Sequence, residues 1–360
     1  MAAPSRNWIL AIALGLAACG PQAAKKPDAG ASGSAEAPAA SIEAALDSCK
    51  DKAGLAQKIC ADPALAATVD KIRADLAAAA ETVSTEGDKL IVDGQRAWLE
   101  SQAVACGVGA NDPNTEQCLK DALAQRLKDA KTAVEQKGGF TFQRVELNAA
   151  QPVTAEIAAA AGASDAAPPA ITRELRYPRI DNAAGAAAQK FNAIMARIGQ
   201  PKFKLDDATS ETSDYKITFA SPQLVSVQFI TSDYNLGAAH PNNGMTSVTV
   251  LMDQGREITA ADMFKDGSGW ETFLTRRAMR TLTKEFKAMG ADAPSAGDVR
   301  DTATKAHNWT IAEDGLVLVF PPYSIGPFAL GAQEVKVPWA DLAPYVNPNA
   351  PPPINPAKPS

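Results

Sequence analysis

Apolar positions recur along this chain with two different periods, and the change of period divides it. Between Ile42 and Gln136 the spacing is helical. Leu65, Val69, Ile72 and Leu76 step by four, three and four residues and make one stripe. Asp62-Pro63 ahead of them reads as an N-cap followed by proline at the first helical position. Thr85 and Asp88 have the spacing of a capping box for the next helix. In that helix Ile91 and Trp98 share a face, as do Val92 and Leu99. Asp112-Pro113 opens a last helix carrying Leu119, Leu123, Leu127, Ala130 and Val134. Three or four amphipathic helices of this kind make a compact bundle.

After Gly138-Gly139 the period falls to two. Phe140 and Phe142, then Val145 and Leu147, alternate in a short strand-like stretch, and Asn148 to Ala170 is an Ala/Pro-rich linker by composition. Tyr215, Ile217 and Phe219 alternate, as do Val225, Val227 and Phe229, and Val248, Val250 and Met252. Asp253-Gln254-Gly255 marks a turn. Trp270 to Met289 is helical, with Trp270, Phe273, Ala278, Leu282, Phe286 and Met289 facing inward. Glu313-Asp314-Gly315 separates two apolar runs as a hairpin does, and Val335 and Val337 give a closing strand. The expected architecture is multidomain. A small disulfide-linked all-α bundle spans 42–137, a boundary strand and linker 138–170, and an α+β domain with a mostly antiparallel sheet 171–346. The proline-rich tail, 347–360, is expected to be extended and mobile.

The amino-terminal residues add a compartment. Arg6 precedes an apolar run from Trp8 to Leu16, too short to span a bilayer, and small residues follow, which is the layout of a secretory signal over 1–18. Leu16-Ala17-Ala18-Cys19 resembles a bacterial lipobox. The resemblance implies cleavage before Cys19, acylation of its thiol, and stable anchoring by two or more chains. Gly20 resembles the outer-membrane sorting pattern, so the expected location is the cell envelope, lipid-anchored at the outer membrane and facing the periplasm. Residues 19–41, rich in Ala, Gly, Pro, Ser and Lys, read as a flexible tether.

Of 360 residues 46% are hydrophobic and the formal charge is −6; losing Arg6 with the signal makes the mature chain one unit more acidic. This balance disfavours nucleic acid and favours cationic partners. Setting Cys19 aside leaves Cys49, Cys60, Cys106 and Cys118, which in an exported chain read as two disulfides. Three pairings are possible, and the local ones, Cys49–Cys60 and Cys106–Cys118, are preferred. The wide spacing, with His240 and His307 far away, gives no metal-site pattern.

Two resemblances follow from particular residues. Cys49, Ile59-Cys60-Ala61-Asp62-Pro63-Ala64-Leu65, Asp70, Gln95-Arg96-Ala97-Trp98-Leu99, Cys106, Cys118 and Arg126 together resemble the LprI-like lysozyme-inhibitor domain. Without that resemblance Trp98 reads as core and Gln95 as a solvated helix face. Leu175-Arg176-Tyr177-Pro178 with Phe191-Asn192 resembles the start of the non-catalytic module in PdaC-type envelope proteins. Tyr234, Gly237-Ala238-Ala239-His240-Pro241, Gly255-Arg256-Glu257-Ile258, Asp262-Met263-Phe264, Asp314-Gly315-Leu316, Pro322-Tyr323 and Pro327-Phe328-Ala329 resemble the module that follows it. That module occurs in RsiV-like anti-sigma factors, and the resemblance implies lysozyme binding.

No catalytic set is legible. There is no Gly-x-Ser-x-Gly elbow, no His-Glu-x-x-His and no P-loop, so neither an enzyme nor a cofactor is expected. Asp206-Asp207 reads as a polar loop. Arg276, Arg277, Arg280, Lys284 and Lys287 read as a solvated face. The candidate partner-binding residues are Pro322, Tyr323, Pro327 and Phe328, in a proline-fixed loop able to plug a cleft, together with His240. The alternatives are that His240 only locks the Gly237–Asn243 loop and that Tyr323 is an edge-of-core residue. The expected function is a lipid-anchored envelope protein that binds and inhibits a lysozyme-like glycoside hydrolase. The alternative is a non-catalytic envelope module binding peptidoglycan or another envelope protein.

Overall fold

The structure is a computed structural model that describes residues 54–109, 113–163, 167–183, 185–199 and 208–355. The signal, the tether, Cys19, Cys49, Asp112 and Asp206-Asp207 lie outside the described residues.

The amino-terminal part is helical. α1 (Gly54–Ala61) and α2 (Pro63–Ala80) are separated by Asp62, whose carboxylate accepts from the Ala64 amide at 2.8 Å. α3 (Thr85–Ala105) is capped one residue earlier than its sequence implies. Thr85 is already helical, and the Ser84 hydroxyl accepts from Gly87 N–H at 3.2 Å. Asp181 in turn holds Ser84, accepting from its amide at 2.6 Å and its hydroxyl at 2.7 Å. That second bond comes from the end of a strand and gave no local signal. α4 (Thr115–Ala130) is fixed to the end of α3 by the Cys106–Cys118 disulfide. Cys60 is also disulfide-bonded. Leu65, Ile72, Leu76, Ile91, Trp98, Leu119 and Leu123 form the core of this part.

Seven strands then follow in chain order across one sheet: β1 (Val134–Lys137), β2 (Phe140–Pro152), β3 (Ala170–Ile180), β4 (Thr209–Ala220), β5 (Leu224–Asn235), β6 (Asn242–Leu251) and β7 (Arg256–Glu257). Every pairing is antiparallel except β3 with β4, which is parallel over Arg173–Leu175 and Glu211–Ser213. Parallel neighbours need a crossover. It contains α6 (Ala186–Gly199), which buries Phe191 and Met195 against Phe142, Tyr177, Val227 and Phe229.

The stretch expected as a short strand and linker is different. β2 pairs with β3 from Phe142–Ile180 to Pro152–Ala170, and among the described residues of the connection the one element is the short α5 (Ala155–Ala161). Residues 148–152 lack hydrophobic alternation, but backbone pairing to β3 does not require it. α3 packs on β2, so the helices and the sheet share an interface rather than being joined by a linker.

A second sheet has the order β10-β9-β8, from β8 (Trp309–Ala312), β9 (Gly315–Phe320) and β10 (Gln333–Pro338). Phe219, Leu224 and Leu251 of the first sheet share its apolar core, and beside them the sheets meet through polar residues: Ile311 N–H donates to Ser226 Oγ at 3.2 Å, and Gln228 Nε2 to Thr310 Oγ1 at 3.3 Å. Around it lie α7 (Ala260–Met263), α8 (Trp270–Ala288), α9 (Ala296–Ala303) and α10 (Trp339–Leu342). α8 buries Leu274, Ala278, Leu282 and Phe286; Met289, expected inward, lies beyond the helix end and is 46% exposed.

The tail expected to be mobile is packed as far as residue 355. Ala350 and Ile354 are each 1% exposed. Asn347 N–H donates to Met263 O at 2.8 Å, and Asn347 Nδ2 to Ala261 O at 2.7 Å. The prolines fix a path with little entropy left to lose, and the aliphatic residues among them dock in the core. No helix among the described residues is long and apolar enough to cross a membrane.

Candidate partner-binding surface

The turn after β9 is built on local bonds. Ser324 donates to Pro321 O from its amide at 3.1 Å and from its hydroxyl at 2.7 Å. Ile325 plugs into the core, and a Cβ on Gly326 would come within 3.0 Å of Leu330 and 3.2 Å of Phe286. The chain closes through a 3-10 turn at Phe328–Leu330 and Gly331, with Gln333 Nε2 donating to Leu330 O at 2.6 Å. Between these anchors Tyr323 takes φ of +68°. A residue with a Cβ seldom occupies this region, at a cost of roughly 1–2 kcal/mol. The tyrosine is 59% exposed. Strained backbone that presents an exposed aromatic is a feature to be explained by function.

The loop from β5 to β6 approaches the same place. Gly237 has φ of +85°, and a Cβ there would lie 2.7 Å from Ala161 O, so close backbone approach requires glycine. His240 Nδ1 is 3.0 Å from Pro241 O. A carbonyl oxygen can only accept, so this contact is a hydrogen bond in the tautomer that carries its proton on Nδ1. The imidazole stacks on Phe328, with centroids 4.3 Å apart and planes 17° from parallel. Tyr323 also meets Phe328, with centroids 5.4 Å apart and planes tilted by 33°.

His240, Phe328 and Tyr323 therefore form one cluster with Phe328 in the middle. Of the other candidates, Pro327 is exposed and Pro322 half-buried in the same loop. His240 bonds its own loop, as the local-lock reading expects, and also stacks across to another loop. His307 is exposed in the short turn before β8 and belongs to no cluster with His240. No group of three or more His, Cys, Asp or Glu suited to a metal occurs among the described residues.

The motif residues of the helical part have a different role. Gln95 is 1% exposed, against the solvated position expected for it, and its Oε1 accepts from Arg126 Nε at 2.7 Å. The Arg126 guanidinium lies over the Trp98 ring, 5.4 Å from its centroid, and donates to Glu146 at 2.6 Å. Arg144 at 3.4 Å and Arg176 at 3.9 Å also surround Glu146. Burial opposes the charge on Glu146, but Arg126, Arg176 and Arg144 outweigh it and hold the carboxyl below its ordinary range. This hub ties α3 and α4 to β2. Asp129 of α4 joins it through Arg176 at 3.5 Å. Nothing local in the sequence marks Glu146, Arg144 or Asp129, because no short-range pattern shows that β2 lies under the helices.

The fold and this surface define a two-sheet α+β protein with an attached disulfide-linked helical part and a clustered aromatic loop face. Residues 261–340 match the family described as "Protein of unknown function (DUF3298)". A DUF3298 family protein from Pseudomonas aeruginosa PAO1 is similar in structure, with 17% identity, TM-score 0.41, and coverage of 58% of this chain and 95% of that one. A DUF3298 member from Bacteroides fragilis gives 15% identity, TM-score 0.38, and coverage of 60% and 96%. No curated protein matches.

Proposed function

We propose that the chain is a lipid-anchored envelope protein that captures a lysozyme-like muramidase, inhibiting it by presenting the Tyr323–Phe328 loop and His240 to the enzyme's cleft. The observation that carries this reading is the three-ring cluster, made from two loops far apart in the sequence, both of which carry residues of the RsiV-like resemblance. Rigid aromatics lose little entropy on binding and serve as anchors. A muramidase works with two carboxylates across a cleft, and an inserted loop excludes substrate without any chemistry. The acidic chain favours encounter with a cationic enzyme, most strongly at low salt. The LprI-like resemblance does not supply the surface, because Gln95, Trp98 and Arg126 are buried at the hub.

The test is calorimetric titration of the full chain, in detergent, into cationic muramidases, with turnover measured in parallel. Saturable binding weakened at least about tenfold by Phe328→Ala supports the reading. Absence of binding at micromolar concentration and low salt refutes it. Binding to peptidoglycan alone, unaffected by Tyr323→Ala, favours the alternative of a non-catalytic wall-binding module.

A further inference from the structure

Away from the aromatic cluster, the returning segment 347–352 completes two adjoining hollows that share Asn347. The first is a cavity of about 160 Å3; Gln223, Asp253, Gln254 and Asn349 give it polar walls, and Pro351 and Pro352 an apolar one. An enclosed cavity of about 150 Å3 accepts benzene; the first hollow has a similar volume but opens to solvent, which leaves room at its mouth for the hydroxyls of a six-membered ring. The second is open and is bordered by Trp270, Lys265, Asp266 and Glu271. The Trp270 ring is fixed by stacking on Phe264, with centroids 4.6 Å apart and planes 8° from parallel. Asn347 between the hollows is locked: Nδ2 donates to Ala261 O at 2.7 Å, and Oδ1 accepts from the Asn349 amide at 2.9 Å.

We propose that these hollows bind a neutral pyranose oligosaccharide, one ring in the cavity and the next against Trp270. Carboxamides both donate and accept, carboxylates accept, and a sugar hydroxyl does both, so this wall suits a ligand with many hydroxyls. Proline rings and an indole edge suit the C–H faces of the same ring. A purely apolar ligand would strip water from the amides and carboxylates without replacing its bonds. An anionic glycan would meet Asp253, Asp266 and Glu271 against the single cation Lys265, a net repulsion. A hard cation needs six or more oxygens. Asp262, which also borders the cavity, is already held by Arg256 through bonds of 2.7 and 2.8 Å and by Thr259 at 2.7 Å. The site does not depend on the muramidase reading, because it shares no residue with the His240 face.

The experiment titrates the full chain with chitotetraose and with maltotetraose, followed by calorimetry and tryptophan emission. At least one sugar should saturate with Kd of roughly 0.1–1 mM. Asp253→Ala and Asn349→Ala alter exposed side chains and leave the core intact; each should weaken binding by about tenfold. Tyr323→Ala should leave it unchanged. The proposal is overturned if neither sugar binds up to about 10 mM, if both cavity variants bind as the parent does, or if Tyr323→Ala abolishes binding.

Discussion

Glu146→Gln tests the hub that joins the helices to the sheet. The substitution keeps side-chain shape and removes one charge from the midst of three guanidinium groups, at 2.6, 3.4 and 3.9 Å. Removing one member of a buried pair costs about 3–5 kcal/mol, because the remaining charge stays buried. Here the loss belongs near the lower end. Arg144 keeps Asp214 at 2.6 Å, and Arg176 keeps Glu174 at 3.1 Å and Asp129 at 3.5 Å. Arg126 suffers most, retaining Gln95 and the Trp98 face but no carboxylate among its described contacts. The expected destabilisation is about 3 kcal/mol, read from urea unfolding as a lower midpoint with unchanged slope. Acid gives a second readout. The folded carboxyl titrates below its ordinary value, so its stabilisation is full above about pH 4.3 and is lost as pH falls through the depressed folded value. The glutamine variant should lack that part of the acid dependence. A variant within about 1 kcal/mol of the parent, or one sharing its acid profile, would refute this account of the hub.

Three further outcomes are expected. Tyr323→Gly should be more stable than Tyr323→Ala by about 1 kcal/mol in denaturant unfolding, since both lose the ring but only glycine accepts φ of +68° without strain; equal stability would show that the backbone is not strained. Asp262 should titrate at about 2 by NMR, held down first by its hydrogen bonds from Arg256, so its stabilisation is full above about pH 3.9 and is lost as pH falls through about 2. Arg256→Ala should bring it back towards the ordinary value, and an unmoved pKa would contradict the assignment. Ile354→Ala should cost about 2–4 kcal/mol, as for a core aliphatic and not for a free tail; a loss below about 0.5 kcal/mol would mean that the segment contributes nothing.

What could be read in the sequence was mostly local. The Leu65–Leu76 stripe, the Asp62-Pro63 start and the alternation in β4, β5 and β6 all report on neighbours within a turn or a strand. The parallel pairing of Arg173 with Glu211 does not, because a crossover helix separates the strands. Gln95 looked solvated because a polar side chain on a helix usually is. Its burial depends on Arg126, thirty-one positions away, and on a strand further on. The tail looked mobile because proline spoils periodicity, and the two small aliphatic anchors at Ala350 and Ile354 leave no repeat to detect.

The aromatic surface has the same logic one level higher. The sequence pointed separately to a histidine in one loop and to a Pro-flanked aromatic pair in another, and each loop is fixed by its own short-range bonds. Neither set of bonds determines that His240 should lie on Phe328. That contact depends on how the two sheets meet, through Ser226, Gln228, Ser247 and Thr310, all at least nine-tenths buried. Ser247 and Thr310 hydroxyls lie 2.5 Å apart, and Ser226 also accepts from Thr249 at 2.9 Å. An interface between apolar sheet faces tolerates sliding, because dispersion contacts have no direction. Hydrogen bonds in a buried layer do not, since each misalignment leaves a buried donor or acceptor unsatisfied at about 1–3 kcal/mol. The polar seam thus sets the register between the sheets, and that register carries both loops to the same edge. Residues that never reach the surface therefore decide the spacing of the rings that do.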